Sequence, residues 1–453
     1  MPKRSLLALP FSLLASLAAI SLAAPAGAQS VAIAFEGDPE PGGSGGTYSA
    51  LRAPVVNDSG VVAFRSSIAS GSATSGVYRD AGSGVAAIAL TGDLAPDTGG
   101  GTFTSFGDPA INASGDVVFN ATVGGGTANA GIWQSTPAGL LTIVTTQVSA
   151  PGTSGGFYTA FASPIAINDA GEIAFFANTS SPAATGGIFV EGDGVASRSV
   201  FLANQASPPD VINGTYFGFG RPAINASGDV ATTVTIFDGV FTFTEAVVVD
   251  EAGGARVVAF AGDAAPEVGA GTFQNFNFTG PPAIDDGGAV SFSANVSGGT
   301  ALRGLFRDEA GALSASALEG EEAFGTSSGD FFFFQADRLT KTASGGLGFA
   351  ANLLGSSVNA GAFFTPPGGS SWPIAAVGEV VPDGGGNTFR AFPSAPDVSD
   401  GGDAVFLARQ GPAFEDVIVL AVPEPGRAIG LAVTSLALLL GTARDRRRVR
   451  AGR

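Results

Sequence analysis

The octet "NDSGVVAF" at Asn57–Phe64 returns as "NASGDVVF" at Asn112, "NDAGEIAF" at Asn168 and "NASGDVAT" at Asn225. Weaker copies, "DDGGAVSF" at Asp285, "TASGGLGF" at Thr342 and "SDGGDAVF" at Ser399, bring the number to seven. Successive copies start 55, 56, 57, 60, 57 and 57 residues apart. A fixed period of this kind means that one supersecondary unit is repeated, and that each unit buries its apolar face on its neighbours.

Each period holds four short extended runs bounded by Gly, Pro, Asn or Ser, the mark of strands. Run A is the apolar stretch before the octet, such as "PAIN", and run B is the second half of the octet. Run C opens with Gly, an aliphatic and an aromatic: Gly76-Val77-Tyr78, Gly131-Ile132-Trp133, Gly187-Ile188-Phe189 and Gly304-Leu305-Phe306. Run D is β-branched or Ala-rich and ends in Gly-Asp or a relative, as in "VAAIALTGD" at 85–93. No helical period interrupts the series. Seven four-stranded units of this length predict an all-β, seven-bladed β-propeller, with radial repetition protecting the sheet edges. The D-type run "VAIAFEGD" at 31–38 stands before the first A run, whereas the last period lacks a D run. The N-terminal strand is therefore expected to complete the last blade and close the ring.

The octet reads as the A–B hairpin turn. Asn57, Asn112, Asn168 and Asn225 bond their own backbone, a task that Asp285, Thr342 and Ser399 share. Gly60, Gly115, Gly171, Gly228, Gly288, Gly345 and Gly402 supply the left-handed turn conformation. Phe64, Phe119, Phe175, Phe292, Phe349 and Phe406 fall on strand B as inter-blade core. Blade 4 has Thr232 at that position, where repacking is expected, with Phe237 or Phe241 to compensate.

Composition narrows the chemistry. The 453 residues include no Cys and no His, which excludes disulfides, thiolate chemistry, His general bases and His metal ligands. Lys341 is the one lysine in the body of the chain. Nine of the 21 basic and two of the 39 acidic residues lie in the terminal segments, so the body carries 37 acidic and 12 basic residues, a net −25. That sign excludes nucleic acid as a partner. Solubility outside the cell accounts for it, and divalent-cation binding, Ca²⁺ in particular, is the alternative.

The ends read as targeting segments. Lys3 and Arg4, the apolar run from Leu6 to Ala24 and the site Ala26-Gly27-Ala28 together resemble a secretory signal peptide cut after Ala28, which implies the Sec translocon and signal peptidase. Ala428 to Ala443 is uncharged and is followed by "RDRRRVRAGR", a short membrane span with a cytoplasmic Arg cluster. The expected layout is signal peptide 1–28, propeller 29–421 and sorting tail 422–453.

Three features are weighed as sites. Aromatics stand in the D-to-A connections (Tyr48, Phe103, Phe106, Phe157, Tyr158, Phe161, Tyr216, Phe217, Phe219, Phe273, Phe276 and Phe331 to Phe334). Their recurrence favours packing, with a sugar-stacking platform as the alternative. The acids that end run D (Asp38, Asp93, Asp263, Glu321, Glu379) form a cation ring only if Val148 and Gln205 do not break it. Asn57, Asn112 and Asn225 lie in N-x-S sequons that an Asn- and Ser-rich turn creates by chance.

The tail, Val422-Pro423-Glu424-Pro425 followed by the apolar segment and by Arg446, Arg447 and Arg448, resembles the PEP-CTERM sorting signal of Gram-negative bacteria. Asn57–Phe64 and Asn168–Phe175 resemble the NxxGxxAF tandem repeats found with varied C-terminal anchors. The tail resemblance implies processing by an exosortase, a transient inner-membrane anchor, and passage to the cell surface or extracellular polymer. The repeat resemblance implies no activity. The expectation is a non-enzymatic binding or structural protein of the surface or biofilm matrix, associated with polysaccharide. The alternative is a carboxylate-based glycan hydrolase or lyase, although no pair of acids is singled out for that chemistry.

Overall fold

The computed structural model describes residues 29–137, 139–207, 214–276, 280–326 and 329–422. Ala28, Pro423 to Pro425 and the Arg cluster lie outside these, as do the expected signal peptide and apolar tail. No helix among the described residues is long and apolar enough to cross a membrane, and these residues form strands and turns only.

Seven small antiparallel sheets follow one another along the chain. Blade 2 serves as the pattern: an inner strand in two pieces (Thr102–Phe106 and Ala110–Ile111), then Val117–Gly124, Ala130–Thr136 and Gly139–Thr145 in spatial order. The short inner pieces of successive blades touch one another in sequence, and Val55–Val56 of blade 1 meets Asp397–Val398 of blade 7. The seven sheets thus form a closed β-propeller. Gln29–Phe35 lies beside Glu415–Val422 and supplies the outer strand of blade 7, as expected from the run at 31–38.

The inner strand differs from the expectation. "PAIN" is only its second half. The aromatic segment assigned above to the D-to-A connection is its first half, paired with the same B strand. A β-bulge divides the aromatic half in every blade, as between Phe103 and Ser105. The bulge hides the alternation of the two halves, because it shifts the period-two pattern by one residue.

The aromatics of strands A, B and C pack as a repeated triad. In blade 2, Phe103 meets Trp133 edge-on at 4.9 Å, and Phe119 stacks on Trp133 at 6.5 Å. Tyr48–Phe64–Tyr78, Tyr158–Phe175–Phe189, Phe273–Phe292–Phe306 and Phe331–Phe349–Phe363 repeat this geometry. The B-strand phenylalanines are all buried, as expected. The Gly that opens run C is explained by this triad together with strand D, since a Cβ on Gly187 would stand 2.4 Å from Phe201 O and one on Gly131 2.8 Å from Val144 O. A Cβ on Gly131 would stand 2.7 Å from the Trp133 ring, and one on Gly304 would stand 2.8 Å from the Phe306 ring. In blades 4 and 7 the C-strand aromatic is Val248 or Val419, and the Gly is replaced by Ala246 or Val417.

Blade 4 repacks, but not through the residues expected to compensate. Thr232 is fully buried, and the core cluster of its strand, with Val230, Val234 and Ile236, takes in Phe201 from blade 3, which meets Tyr216 at 5.4 Å, with Phe219 packed against it. Phe241 is 90% exposed, and Phe237 stacks on the exposed Phe243. Both lie on a B–C hairpin that extends past the core. Its ladder runs to Phe237↔Phe243, two pairs beyond the point where those of blades 1, 2, 5 and 6 stop.

Candidate functional site: the two faces of the axial channel

The A–B turns gather on one face around the axis. In all seven, the first octet residue accepts the N–H four positions on: Val61 N to Asn57 at 3.0 Å, Ala289 N to Asp285 at 2.8 Å, Gly346 N to Thr342 at 2.8 Å and Asp403 N to Ser399 at 3.1 Å, with Asn112, Asn168 and Asn225 alike. The seven octet glycines have φ between +73° and +93°, the left-handed region. This is the expected turn chemistry.

The sequence did not disclose the other half of the octet's work. The amide of Asn57 donates to the carbonyls of Asn112 and Ala113, that of Asn168 to Asn225, and that of Asn225 to Asp285. The next octet residue does the same through its carboxylate. Asp169 accepts from Ala113 N, Asp286 from Ala226 N, Asp400 from Ala343 N and Asp58 from Asp400 N. Between blades 5 and 6, Asp286 N donates to Ala343 O. A hydrogen bond from turn to turn therefore crosses every seam. The sequon asparagines are buried within this lacing.

Asp58, Asp169, Asp286 and Asp400 rim this face. Burial raises the Asp400 carboxyl above the usual range, and Asp58 and Asp286 act in the same direction. Asp403 is raised by burial and then by Asp58. No group of three or more carboxylates arranged to hold a metal ion occurs among the described residues. The Gly-Asp acids are turn caps. Asp38, Asp93 and Glu321 each accept the N–H three residues back, at 2.8 to 2.9 Å.

The residues before the octets, Val56, Ile111, Ile167, Ile224, Ile284, Lys341 and Val398, line the axial channel. A cavity of about 210 Å³ lies here, walled by inner strands of all seven blades. Lys341 departs from the apolar pattern, and its side chain is 1% exposed. It donates to Ala289 O and pairs with Asp285 at 3.3 Å, which also holds Arg307 at 3.0 Å. Asp285 replaces an Asn and has no side-chain N–H to give, so at this seam Lys341 and Arg307 join the bond from Asp286 N to Ala343 O. Burial, and then the neighbouring Arg307, lower the Lys341 ammonium to about 8.

Blade 1 has a second departure. Glu40 is buried where the other blades place Ala95, Ala150, Ser207, Ala265, Ala323 and Val381. Its carboxylate accepts from Gly42 N and Ser44 N. Burial first, and then Glu40, raise the hydroxyls of Tyr48 and Tyr78 above the ordinary value.

The opposite face carries the D–A and B–C loops. Here the bulged residue of each inner strand turns away from the core: Ser49, Thr104, Thr159, Phe217, Gln274, Phe332 and Arg390. Six of them are exposed and Ser49 is half-buried. The residue before each bulge is buried aromatic core. The aromatics therefore divide into two sets. Tyr48, Phe103, Phe106, Tyr158, Tyr216, Phe273, Phe276, Phe331 and Phe334 are packing, whereas Phe157, Phe217, Phe332 and Phe333 are exposed. Arg303 lies over the Phe333 ring at 4.9 Å.

Together these features define a seven-bladed β-propeller with a laced, acidic turn face and a loop face of mixed aromatic and polar chemistry. The chain belongs to a family described as "Family of unknown function (DUF7453)", whose model matches residues 19–365 and again 183–418. No curated protein matches the sequence. Among solved structures, the chain is similar to a Mycobacterium tuberculosis puromycin-hydrolyzing peptidase at 12% identity and a TM-score of 0.43, covering 83% of this chain and 52% of that one. It is similar to Trypanosoma rangeli sialidase at 11% identity and a TM-score of 0.37, covering 93% and 62%. A Dyadobacter fermentans protein of unknown function matches at 9% identity and a TM-score of 0.34, covering 87% and 99%. The chain thus spans about half the length of the peptidase and less than two thirds of the sialidase.

Proposed function

We propose that this is an exported, non-enzymatic protein of the cell surface or extracellular matrix that binds polysaccharide on its loop face. In this reading an exosortase acts at Val422-Pro423-Glu424-Pro425 after a transient stay in the inner membrane. The observation that carries the binding reading is the ring of bulged residues. Its backbone geometry is the same in seven blades, but its chemistry is not: Phe217, Gln274, Phe332 and Arg390 follow one another in blades 4 to 7. A packing role would repeat one residue type, as the neighbouring core positions do. Alternating aromatic and hydrogen-bonding side chains suit a ligand with apolar ring faces and hydroxyl edges. The non-enzymatic part is supported by the turn-face carboxylates, which spend their oxygens on backbone N–H groups of the adjoining blade. The test is a glycan array probed with residues 29–422, with and without Ca²⁺. Binding that falls on Phe217→Ala and on Phe332→Ala supports the reading, and absence of binding to every glycan overturns it.

A further inference from the structure

The B–C hairpin is extended in blades 3, 4 and 7, to Ser181↔Ala184, Phe237↔Phe243 and Gln410↔Glu415, and blade 4 differs in the aromatics at its tip. Its B–C hairpin projects beyond the core and is built from Phe237, Val240, Phe241 and Phe243. In blades 1, 2 and 5 the corresponding loops are short and tuck Ala73, Ala128 or Ala301 into the interior. Phe243 is 54% exposed and stacks on Phe237, with centroids 4.8 Å apart and planes at 25°. On its other side it meets Phe217, the bulged residue of the inner strand, at 4.9 Å. Phe217 itself is 61% exposed. Three rings in contact therefore stand together on one blade, Phe217 on the inner strand, Phe237 on the second and Phe243 on the third.

The hairpin tip is held in place. Asp238 Oδ1 accepts the N–H groups of Val240, Phe241 and Thr242 at 2.8, 3.0 and 3.0 Å. These bonds keep its carboxyl down to about 2, so the tip carries a permanent negative charge beside its apolar side chains. No Lys or Arg occurs between Arg221 and Arg256. The blade 4 hairpin therefore brings no cation of its own to an anionic polymer, and burying the tip in lipid would bury Asp238 with it. Ring faces beside a carboxylate suit an uncharged sugar chain, whose C–H faces stack on the rings and whose hydroxyls donate to the acid.

We infer that the loop face binds a neutral polysaccharide as an extended chain, which runs from the axis outward along blade 4 over Phe217, Phe237 and Phe243. This rests on the polysaccharide reading above and specifies the ligand as the interior of a long chain rather than a chain end held in the channel.

The experiment measures binding of the intact protein to short and long neutral oligosaccharides of one linkage, to a uronate polymer and to anionic lipid vesicles. The expected result is that affinity rises with chain length. Phe243→Ala and Phe237→Ala should each lower long-chain affinity by about tenfold, the worth of one aromatic contact, and leave short-chain affinity unchanged. Phe217→Ala should lower both. Circular dichroism and thermal melting confirm that these exposed substitutions leave the fold intact. Short and long chains bound equally, or long-chain binding indifferent to Phe243→Ala, overturns the extended-chain inference while leaving polysaccharide binding in place. No oligosaccharide bound at any length overturns both. Tighter binding to the uronate polymer, or to vesicles through Phe241, overturns the neutral ligand.

Discussion

The side-chain amide of Asn225 donates to the main-chain carbonyl of Asp285 in the next blade at 3.1 Å, while its oxygen closes its own turn on Asp229 N at 2.9 Å. One side chain thus serves two hydrogen-bonding ends. Asn225→Thr, which copies Thr342, keeps the acceptor and loses the donor. It is expected to lower stability by about 1 kcal/mol, and Asn225→Ala, which also orphans a turn N–H, by about 2–3 kcal/mol. Urea unfolding checks both. Equal effects would mean that the inter-blade bond contributes nothing.

Gly131 and Trp133 form a steric pair. Gly131→Ala places a methyl against the indole and should cost about 1–3 kcal/mol. Trp133→Val alone leaves a cavity in the triad and should cost about 3 kcal/mol. The double variant copies Ala246 and Val248 of blade 4 and removes the contact with the indole, though not that with Val144 O at 2.8 Å, so its cost should fall below the sum of the two. Strict additivity in thermal melts would refute the coupling.

The seam between blades 5 and 6 should show in the pH dependence of stability. Lys341 ionises near 8 in the folded chain and near 10.5 when free, so the unfolded chain binds more protons between these values. Its contribution is fully present above about pH 10.5 and is lost as pH falls to 8, so stability should rise with pH across that window. Tyr48, Tyr78, Tyr158 and Tyr216 act oppositely. Each is raised by burial above 10.0, so their contribution is present below pH 10 and is lost as pH climbs further. Unfolding measured from pH 7 to 10 should slope upward in the native protein and be flat in Lys341→Met. An unchanged slope would rule Lys341 out as its source.

Ring closure depends on Gln29–Phe35. Ala34 is buried in the core cluster that holds Ile418 and Leu420, and Ala34→Asp places a carboxylate there without a partner. A loss of at least about 3 kcal/mol is expected. Limited proteolysis should then cut first in blade 7, and initial cleavage in any other blade would count against the latch.

The repeat, the four strands and the closing strand were legible because each rests on local chemistry: turn residues, period-two runs and a missing D run. The inner strand was half-missed because its bulge interrupts the alternation. The lacing was invisible because Asn57 and Asn112 stand 55 residues apart and meet only once the ring exists. Thr232 announced a departure, but not that Phe201, from the preceding blade, would join the blade 4 core. Phe217 and Phe332 were already among the aromatics named from the sequence, but they stand apart from their buried neighbours only in a column otherwise filled by Ser49, Thr104, Thr159, Gln274 and Arg390. That column could be aligned only after the bulge was known.

The closing strand also orders events in time. Within a blade, partners lie a few tens of residues apart and can pair as soon as they exist, whereas Asp416 N reaches Glu36 across 380 positions. Contacts that close so long a loop form late, after local pairings have shortened the effective distance. Until then, Ala34 and its neighbours present an unpaired strand edge, the kind of surface on which chains join to one another. The interval between synthesis of the first strand and arrival of the last is therefore the period in which this protein is most exposed to misassembly.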